Sequence, residues 1–336
     1  MSKKNAVIVG YGAIGPVHAK SVVRSSFATL YGVCDCDCKK RQIAQREHDC
    51  RIYENFEQVI SDDCVDAVHI CTPHYLHFDM LERAVQNGKS VVIEKPCAMT
   101  ADELKKIQAL ADQKNVCAIL QNRFNPCVKK MKQIILSGEY GKVVSAKGFL
   151  TWMRDAKYYA SGQWRGKKQF EGGGVVINQS IHMLDLLEYL GGDGKKIKAS
   201  IDNRSLRGII EVEDTAEATI TTKDGIRLLF YATNAYAVSS PFDIEIQLER
   251  AALKYTYNRL YVVEGESMEC VEYDSSETPG KDCWGVGHYE LINNFYSTLC
   301  GEPMPYTKLK DGIKAAKSVI ALYNSADTGK EVILND

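Results

Sequence analysis

The chain has 336 residues, of which 45% are hydrophobic and 25% charged, the composition of an ordinary globular protein with room for two domains. Its formal net charge of −1 argues against nucleic acid or an acidic membrane as a partner, because phosphate binding needs a basic surplus. No apolar run is long enough for a signal peptide or a membrane span, so we expect a soluble, cytoplasmic protein.

The first 120 residues alternate between strand and helix patterns. Strands are predicted at residues 6–9, 30–34, 67–71, 90–93 and 116–120, with helices at about 16–25, up to about 48, at 76–86 and at 101–114. Continuous β-rich runs separated by helices indicate a parallel sheet that is covered on both faces. We therefore predict a doubly wound α/β domain of the Rossmann type over residues 1–122.

The pattern changes after residue 122. A helix at about 126–136, a strand at 143–153, a polar stretch, a glycine run and a helix at about 177–190 come first. Further β-type segments follow at 217–222, 226–233, 242–248, 253–257 and 260–263, and two helices at about 289–300 and 311–326 end the chain. The turn Lys223-Asp224-Gly225 indicates a hairpin. Residues 123–336 are predicted to form an α+β domain on a large, open, mixed or antiparallel sheet.

Twelve cysteines raise the question of disulfides or zinc. Most stand singly in apolar runs, where a thiol behaves as a small hydrophobic group. The dense cluster Cys34, Cys36 and Cys38 has no second Cys or His pair at zinc-ligand spacing. We expect no metal there, and a reduced protein of the cytosol.

A glycine-rich turn follows the first predicted strand. Residues Gly10-Tyr11-Gly12-Ala13-Ile14-Gly15 fit G-x-G-x-x-G between a strand and a helix, and Asp35 lies twenty residues after Gly15. In such a turn the first glycine allows the tight bend, the second lets the backbone approach a pyrophosphate, and the third lets helix and strand pack closely. The pyrophosphate would sit at the helix N-terminus, and Asp35 would bind both ribose hydroxyls. Because Asp35 would repel a 2′-phosphate, we predict NAD rather than NADP as the cofactor.

Three further motifs carry a family resemblance. They are Cys71-Thr72-Pro73-His74-Tyr75-Leu76-His77, Glu94-Lys95-Pro96, and the run from Gly172-Gly173-Gly174 through Asn178-Gln179-Ser180-Ile181-His182 to Asp185. In this order and spacing, over essentially the whole chain, they resemble the glucose-fructose oxidoreductase / inositol dehydrogenase (Gfo/Idh/MocA) family. The resemblance implies a cis Lys95-Pro96 bond. It also implies a homodimer or homotetramer formed through the open face of the second sheet.

The resemblance also implies most of the site residues. The cofactor contacts it adds to the glycine turn and Asp35 are Cys71, Thr72, Pro73, His77, Glu94, Lys95, Asn122, Trp164 and Arg165. The implied substrate contacts are Asn178, Asp185, Arg123 and, more weakly, His288. The Arg165 guanidinium could fix a carboxamide or a substrate oxygen, and stacking within the sheet region is the alternative.

Two residues are predicted to handle protons. Lys95 ends a parallel strand, where ligands bind in such sheets, and partial desolvation would make a lysine a competent acid or base. His182 lies four residues after Asn178 and three before Asp185, so all three would share one helix face, and the glycine run would bring backbone near the ligand. A structural buried histidine is the alternative to a catalytic His182. A metal held by these three side chains is a poor fit, because asparagine is a weak ligand.

Position 178 departs from the family pattern, since many members carry aspartate where this chain has asparagine. An amide cannot exchange protons, so Lys95 and His182 would share the proton transfer while Asn178 binds the substrate. The Asn-Gln variant resembles the branch that acts on nucleotide-sugar uronates and on the C3 hydroxyl of glucosides. We predict a dehydrogenase for a sugar, glycoside or nucleotide sugar. The alternatives are an enzyme that recycles bound NAD while it modifies a glycoside, and a non-catalytic NAD-sensing protein.

Overall fold

The computed structural model describes residues 2–110, 115–275 and 286–334. The chain divides into two compact units. The first unit is Met1–Gln121 with Gly287–Ile313, and the second is Asn122–Val286 with Lys314–Asp336. The sequence pattern predicts a boundary after residue 122 with residues 287–313 in the second domain, whereas these residues cluster with the first unit.

The first unit is built on a parallel sheet, as expected for an α/β domain. Within the described residues its strands are β1 Lys4–Val9, β2 Ala28–Cys34, β3 Arg51–Tyr53, β4 Ala67–Ile70, β5 Ser90–Ile93 and β6 Val116–Ala118. They lie in the order β3-β2-β1-β4-β5-β6, with every neighbouring pair parallel. The strand order reverses at β1, with β2 and β3 on one side of it and β4, β5 and β6 on the other. Ligands bind at such a reversal point, outside the carboxyl ends of the strands.

The second unit is built on a mixed sheet. Among the residues described, its strands are β7 Val143–Thr151, β8 Gly194–Asp202, β9 Thr215–Thr222, β10 Arg227–Thr233, β11 Asp243–Leu248, β12 Ala252–Thr256, β13 Arg259–Glu264, β14 Ser267–Tyr273 and β15 Val332–Ile333. Their order is β14-β13-β12-β11-β7-β10-β9-β8-β15, with β7 and β10 parallel and the other neighbours antiparallel. The predicted hairpin around Lys223–Gly225 joins β9 and β10, and the prediction of a large mixed sheet is confirmed.

Helices are present near each predicted position, although the one predicted at 177–190 is divided, and three further short helices of the described chain were not predicted. In the described parts of the chain they are α1 Gly15–Arg24, α2 Cys38–His48, α3 Phe56–Ile60, α4 His77–Gln86, α5 Ala101–Gln108, α6 Pro126–Ser137, α7 Ala156–Ala160, α8 Lys168–Glu171, α9 Val175–Asn178, α10 Ile181–Gly191, α11 His288–Leu299 and α12 Leu309–Thr328. The helix predicted at 101–114 is α5, and residues 111–114 lie outside the described residues. None of these helices is both long and apolar enough to cross a bilayer.

Helix α10 lies on the sheet of the second unit and is buried on nearly every side. It packs on β7, where a Cβ added to Gly148 would lie 2.4 Å from the sulfur of Met183. The small residue in β7 thus lets the helix approach closely. Burial of each large side chain in this layer stabilises the fold by about 1.5–3 kcal/mol.

The prediction of a single helix at 177–190 is wrong, because this segment forms two helices, α9 and α10, with a break between them. The backbone N–H and the hydroxyl of Ser180 both donate to the carbonyl of Val175, each at 2.8 Å. A serine side chain that binds a nearby carbonyl competes with the helical hydrogen-bond ladder. Asn178 therefore ends one helix, while His182 and Asp185 belong to the next, and the three do not share one helix face.

The return of residues 287–313 to the first unit has a packing cause. Helix α11 packs on α1, and the Ser25 hydroxyl donates to the Asn293 side chain at 2.9 Å. Beyond α11, the N–H of Ala118 donates to the Thr307 carbonyl at 3.1 Å. The carboxyl-terminal part of the chain thus completes one side of the Rossmann sheet.

Candidate functional site

The glycine-rich turn has the shape that a dinucleotide requires. Gly10 has φ +93°, and a Cβ there would lie 2.6 Å from the Cys71 carbonyl oxygen. A Cβ on Gly15 would lie 2.3 Å from the Gly10 carbonyl oxygen, so this position must stay small for turn and helix to pack. At Gly12 an added Cβ meets no atom within 4 Å. Gly12 therefore faces open space, where a ligand can approach the backbone.

The end of β2 brings a carboxylate to this turn. Asp35 is buried, and its two oxygens accept the N–H of Tyr11 at 2.8 Å and the N–H of Asp37 at 2.9 Å. The ammonium of Lys40 lies 3.7 Å from the same carboxylate. Ile14 occupies the N-cap position of α1, and within the described residues no side chain makes a capping hydrogen bond there. A free helix N-terminus beside a fixed acidic group fits a pyrophosphate and a ribose.

The other residues of the turn lie around this backbone. The ring of Tyr11 is buried, and its hydroxyl contacts the Glu47 carboxylate at 2.7 Å and His48 Nε2 at 2.9 Å. Ala13 is exposed and Ile14 is half-buried. Tyr11 thus approaches the predicted cofactor site with its backbone, and its side chain anchors the turn to α2.

His77 connects the loop that follows β4 to the loop that follows β5. Its Nδ1 lies 2.8 Å from the Pro96 carbonyl oxygen and its Nε2 lies 2.8 Å from the Thr72 carbonyl oxygen. Burial lowers the pKa of His77, and hydrogen bonds to the two carbonyls partly oppose this effect. Cys71 is buried, and Pro73 precedes the short 3-10 helix His74–Leu76.

Lys95 follows β5 directly. The Lys95-Pro96 peptide bond is cis, so that prediction is confirmed. Lys95 is half-buried, and its backbone N–H donates to Glu94 Oε2 at 3.2 Å. The predicted proton-transfer residue therefore stands at the carboxyl end of a parallel strand, next to a buried carboxylate.

Glu94 ends a buried hydrogen-bonded chain that the sequence analysis missed. Tyr296 contacts His69 Nε2 at 2.7 Å, the Nδ1 atoms of His69 and His18 are 2.8 Å apart, and His18 Nε2 lies 3.1 Å from Glu94 Oε1. One direction of donation satisfies every nitrogen: Tyr296 donates to His69, His69 to His18, and His18 to an ionised Glu94.

The surroundings of Glu94 keep this carboxylate charged. Burial alone would raise the pKa of Glu94, but the hydrogen bond from His18 and the nearby charges, including that of Lys95, hold it well below its usual range. Burial also lowers the pKa of His69 well below its usual value, so this ring is neutral. The series of hydrogen bonds from Tyr296 to Glu94 thus fixes a negative charge beside the backbone of Lys95.

His288 lies beside Glu94, at the end of this series of hydrogen bonds. It is buried, with its Nε2 3.9 Å from Glu94 Oε1, and burial lowers its pKa to about 4. Among the described residues, His18, Glu94 and His288 form one group of side chains that could hold a metal ion. The hydrogen bond from His18 Nε2 to Glu94 Oε1 already uses two of the three ligand atoms.

In the second unit, two of the predicted substrate residues bind each other. Arg123 donates to both carboxylate oxygens of Asp185, from Nε at 2.9 Å and from Nη2 at 2.6 Å. The guanidinium also lies over the ring of Tyr189, 4.7 Å from its centroid. A bidentate pair of this kind fixes both side chains, so each positions the other.

Asn178 pairs with an acid that the sequence analysis did not identify. Its side-chain Nδ2 donates to Oε1 of Glu171, and the Gly166 N–H donates to Oε2 of the same carboxylate. Asn178 is half-buried at the end of α9, whereas Glu171 is buried at the end of α8. His182 is buried in the first turn of α10.

The glycine run before α9 is packed tightly against the rest of the second unit. A Cβ on Gly173 would lie 1.9 Å from the Tyr323 hydroxyl, and one on Gly174 would lie 1.8 Å from the Glu213 carbonyl oxygen. These two glycines are therefore needed for contacts within the protein. Gly172 has φ +86° and ends α8.

Arg165 lies between two aromatic rings. Its guanidinium is 4.6 Å from the Trp164 ring centroid and 4.7 Å from that of Tyr158. It donates to the Tyr158 hydroxyl at 2.7 Å, and Gln179 donates to the same oxygen at 3.1 Å. The stacked arrangement expected as the alternative is present, and it connects Trp164 and Arg165 to the residue that follows Asn178.

Asn122 has an unusual environment. Its side chain is 1% exposed, and within the described chain neither the amide nitrogen nor the amide oxygen has a hydrogen-bond partner. A buried amide without partners costs stability unless a ligand or water satisfies it. This observation fits the predicted cofactor contact.

The sequence offered little sign of Glu171, His18, His69 or Tyr296. His18, His69 and Tyr296 stand in regular elements and Glu171 ends a short polar helix, and only their spatial neighbours reveal what they contact. His18, three residues after the glycine motif, is the one position where a polar residue on the buried side of α1 could have been noticed.

Comparison with known proteins agrees with this geometry. Residues 4–122 match the model of an oxidoreductase family with an NAD-binding Rossmann fold, and residues 128–254 match the GFO/IDH/MocA C-terminal domain. The chain is 33% identical over 192 residues to scyllo-inositol 2-dehydrogenase (NAD(+)) of Bacillus subtilis, a match that covers 55% of this chain and 53% of that relative. It is 23% identical over 359 residues to D-glucoside 3-dehydrogenase of Escherichia coli, covering 99% and 98% of the two chains.

A solved structure extends the likeness over the full length. The WlbA dehydrogenase from Bordetella pertussis, crystallised with NADH and UDP-GlcNAcA, superimposes with a TM-score of 0.86 at 25% identity, covering 100% of both chains. Two family domains in the expected order and a matching full-length fold agree with the sequence motifs. The chain belongs to the GFO/IDH/MocA family of oxidoreductases, whose amino-terminal domain is an NAD-binding Rossmann fold.

Proposed function

We propose that the protein is an NAD-dependent dehydrogenase that transfers a hydride between the nicotinamide and a hydroxyl or keto carbon of a sugar, glycoside or nucleotide sugar. The observation that carries the proposal is the glycine turn with Asp35 in the same parallel sheet that presents Lys95 at the end of β5. The relatives named for an inositol, a glucoside and a nucleotide-sugar ligand support the substrate class.

Bound NAD supplies the hydride acceptor at its nicotinamide ring. In the oxidative direction, Lys95 takes the proton of the reacting hydroxyl, with its backbone fixed by Glu94. His182 orients the substrate and assists the proton transfer, and Asn178 hydrogen-bonds a substrate oxygen. Arg123 and Asp185 hold each other in place through their hydrogen bonds. The unsatisfied amide of Asn122 binds the cofactor.

Three variants and a panel of compounds test this function. Wild type is assayed with scyllo-inositol, levoglucosan, a methyl glucoside and UDP-GlcNAcA, each with NAD and with NADP, by absorbance of the reduced nicotinamide. On the compound that is turned over, Lys95→Ala should lower kcat by roughly 10²–10⁴-fold, the usual contribution of a positioned acid or base. His182→Ala should lower kcat and raise KM. Lys89→Ala, a lysine of the same unit that binds the Asp62 carbonyl, is the control and should leave kcat unchanged.

NAD affinity separates binding from chemistry in these variants. The dissociation constant for NAD should change little in Lys95→Ala, because pyrophosphate and ribose are held by the glycine turn and Asp35. Near-normal turnover in Lys95→Ala would refute the proposed proton path and make His182 the principal base. Absence of NAD reduction with every sugar in the panel would refute the substrate class.

We also propose that copies of the chain associate through the free face of the second sheet. One face of this sheet is covered by α10, whereas Leu229 is 48% exposed and Phe149 is 37% exposed on the other, beside the ring of Tyr231. Light scattering should give a dimer or tetramer for wild type and smaller particles for Leu229→Glu. Leu136→Glu, the same change at an exposed position of α6, is the control.

The reaction is proposed to run in the cytoplasm. The eleven cysteines in the described parts of the chain carry free thiols, which suits a reducing compartment. Fractionation of cells that produce the protein at native levels should recover NAD reduction in the cytosolic fraction. Recovery in another compartment would contradict this location.

A further inference from the structure

Glu171 is a fully buried acid that the proposed reaction does not use. Its side chain has 0% exposure, at the end of α8 and directly before the glycine run. Two N–H groups point at it, the backbone N–H of Gly166 at one oxygen and the side-chain amide of Asn178 at the other. A buried carboxylate that accepts from the Asn178 side chain is placed to fix the direction of that amide.

We propose that Glu171 is a positioning residue that sets the direction of the Asn178 amide and thereby makes Asn178 a hydrogen-bond acceptor toward a substrate hydroxyl. This inference rests on the proposed substrate contact of Asn178. When Nδ2 of Asn178 donates to Glu171, its Oδ1 points away from Glu171 and presents an acceptor to any group that donates. A hydroxyl of a sugar meets that requirement, whereas a carboxylate or a keto oxygen does not.

The arrangement requires an ionised Glu171. The Gly166 N–H is fixed by the backbone and keeps its oxygen, so a proton on Glu171 would sit on the oxygen that faces Asn178. Two donors would then oppose each other. The conflict ends when the Asn178 amide turns by half a rotation, so that Oδ1 accepts from Glu171 and Nδ2 faces the substrate. Asn178 then donates where it previously accepted.

The groups around Glu171 place this change near neutral pH. Burial raises the pKa of Glu171 to about 7, while the hydrogen bonds from Gly166 and Asn178 and the charge of Arg165 act in the opposite direction. Titratable groups among its neighbours include Glu213, which raises its pKa, and the hydroxyls of Tyr159 and Tyr323. Above about pH 7 Glu171 is ionised and Asn178 accepts, and below it Asn178 donates.

The first test needs no substrate. Protein labelled with [15N]asparagine shows the side-chain amide signal of Asn178, which is assigned by its loss in Asn178→Gln. In wild type this signal should shift with pH with a midpoint near 7, the pKa of Glu171. In Glu171→Gln the shift should vanish, because glutamine does not titrate. A wild-type signal that does not titrate would overturn the inference even if the variant failed to fold, and so would a titration that survives in Glu171→Gln.

The second test uses the sugar or sugar nucleotide that the panel identifies. If only the ionised form binds, KM in wild type should rise about tenfold between pH 8 and pH 6, in proportion to the loss of the competent form. Glutamine at 171 would keep its oxygen for Gly166 and turn its amide toward Asn178, so Glu171→Gln should show the high KM at every pH. The Lys95 contribution to kcat should persist in this variant.

The two tests separate the inference from the proposed function. If no sugar is turned over while the Asn178 signal titrates and loses its titration in Glu171→Gln, the substrate proposal fails and the Glu171–Asn178 coupling stands. If sugars are turned over with a KM that does not change between pH 8 and pH 6, the coupling of Glu171 to substrate binding is refuted. A low KM in Glu171→Gln would refute it equally.

Discussion

Asp35→Asn removes the charge at the end of β2 while keeping the size of the side chain. In the structure the two carboxylate oxygens accept the N–H groups of Tyr11 and Asp37, which leaves two of about four lone-pair positions for the two ribose hydroxyls of NAD. Asparagine has one side-chain oxygen, so it cannot accept from both backbone groups and from the ribose as well. The substitution therefore weakens the ribose contact and, more mildly, the turn itself.

The size of the effect follows from the bonds that change. A hydrogen bond to a charged group contributes about 1.5–3 kcal/mol and a neutral one about 0.5–1.5 kcal/mol, so two ribose bonds should lose about 2–3 kcal/mol together. At about 1.4 kcal/mol per factor of ten, NAD should bind roughly 30- to 100-fold more weakly. NADP should bind no worse, because the repulsion between the carboxylate and the 2′-phosphate is gone. The ratio of the two dissociation constants should therefore fall at least about tenfold.

The assay is calorimetric titration of NAD and NADP into wild type and variant. The ratio of the two dissociation constants cancels any general weakening of the turn, since both cofactors carry the same pyrophosphate and differ only at the 2′ position of the ribose that Asp35 would bind. Asp37→Asn is the matched control, because it makes the same charge change two residues later at the exposed cap of α2, where asparagine is also a good cap. A preference for NAD that survives Asp35→Asn unchanged, or a wild type that prefers NADP, would refute this account of the site.

Two stability predictions follow from buried contacts. Tyr296→Phe should lower the free energy of unfolding by about 1–3 kcal/mol, because His69 Nε2 loses its partner in a fully buried site. Tyr273→Phe, on a side chain 63% exposed, should change it by less than about 0.5 kcal/mol in the same urea titration. Gly174→Ala should prevent accumulation of folded protein, because its Cβ would lie 1.8 Å from the Glu213 carbonyl oxygen. Normal expression and circular dichroism of Gly174→Ala would contradict the packing argument.

Much of the first unit could be predicted because its signals are local. The alternation of apolar strands with helices, the glycine turn and an acid at the end of β2 all lie within short stretches of chain, and each has one physical interpretation. Strand β3 was missed because three residues with an exposed Arg51 leave no apolar run. In the second unit the hairpin around Lys223–Gly225 was predicted from its turn, while β8 and the two edge strands, β14 and β15, were missed.

The functional side chains were predictable in type more than in arrangement. Lys95 and Asn178 were found through motifs, because the residues of a motif are neighbours in the chain. Their hydrogen-bonded surroundings were not found, since Glu171 binds Asn178 across a turn and Tyr296 is connected to Glu94 through two histidines. The glycine run was identified, but its close contacts with Tyr323 and Glu213 were not, because what a missing side chain makes room for is visible only in three dimensions.

By itself the sequence determined the fold class, the cofactor turn and the family, because periodicity, glycine positions and motif order are properties of the chain. Only the tertiary structure decided which strands are neighbours, such as the parallel pair β7 and β10 within an otherwise antiparallel sheet. It also decided where the predicted helix at 177–190 breaks, because the hydrogen bonds of Ser180 to Val175 compete with the helix. Burial and pairing decided the rest: a carboxyl group acquires a shifted pKa and a fixed partner only when residues distant in sequence exclude water around it.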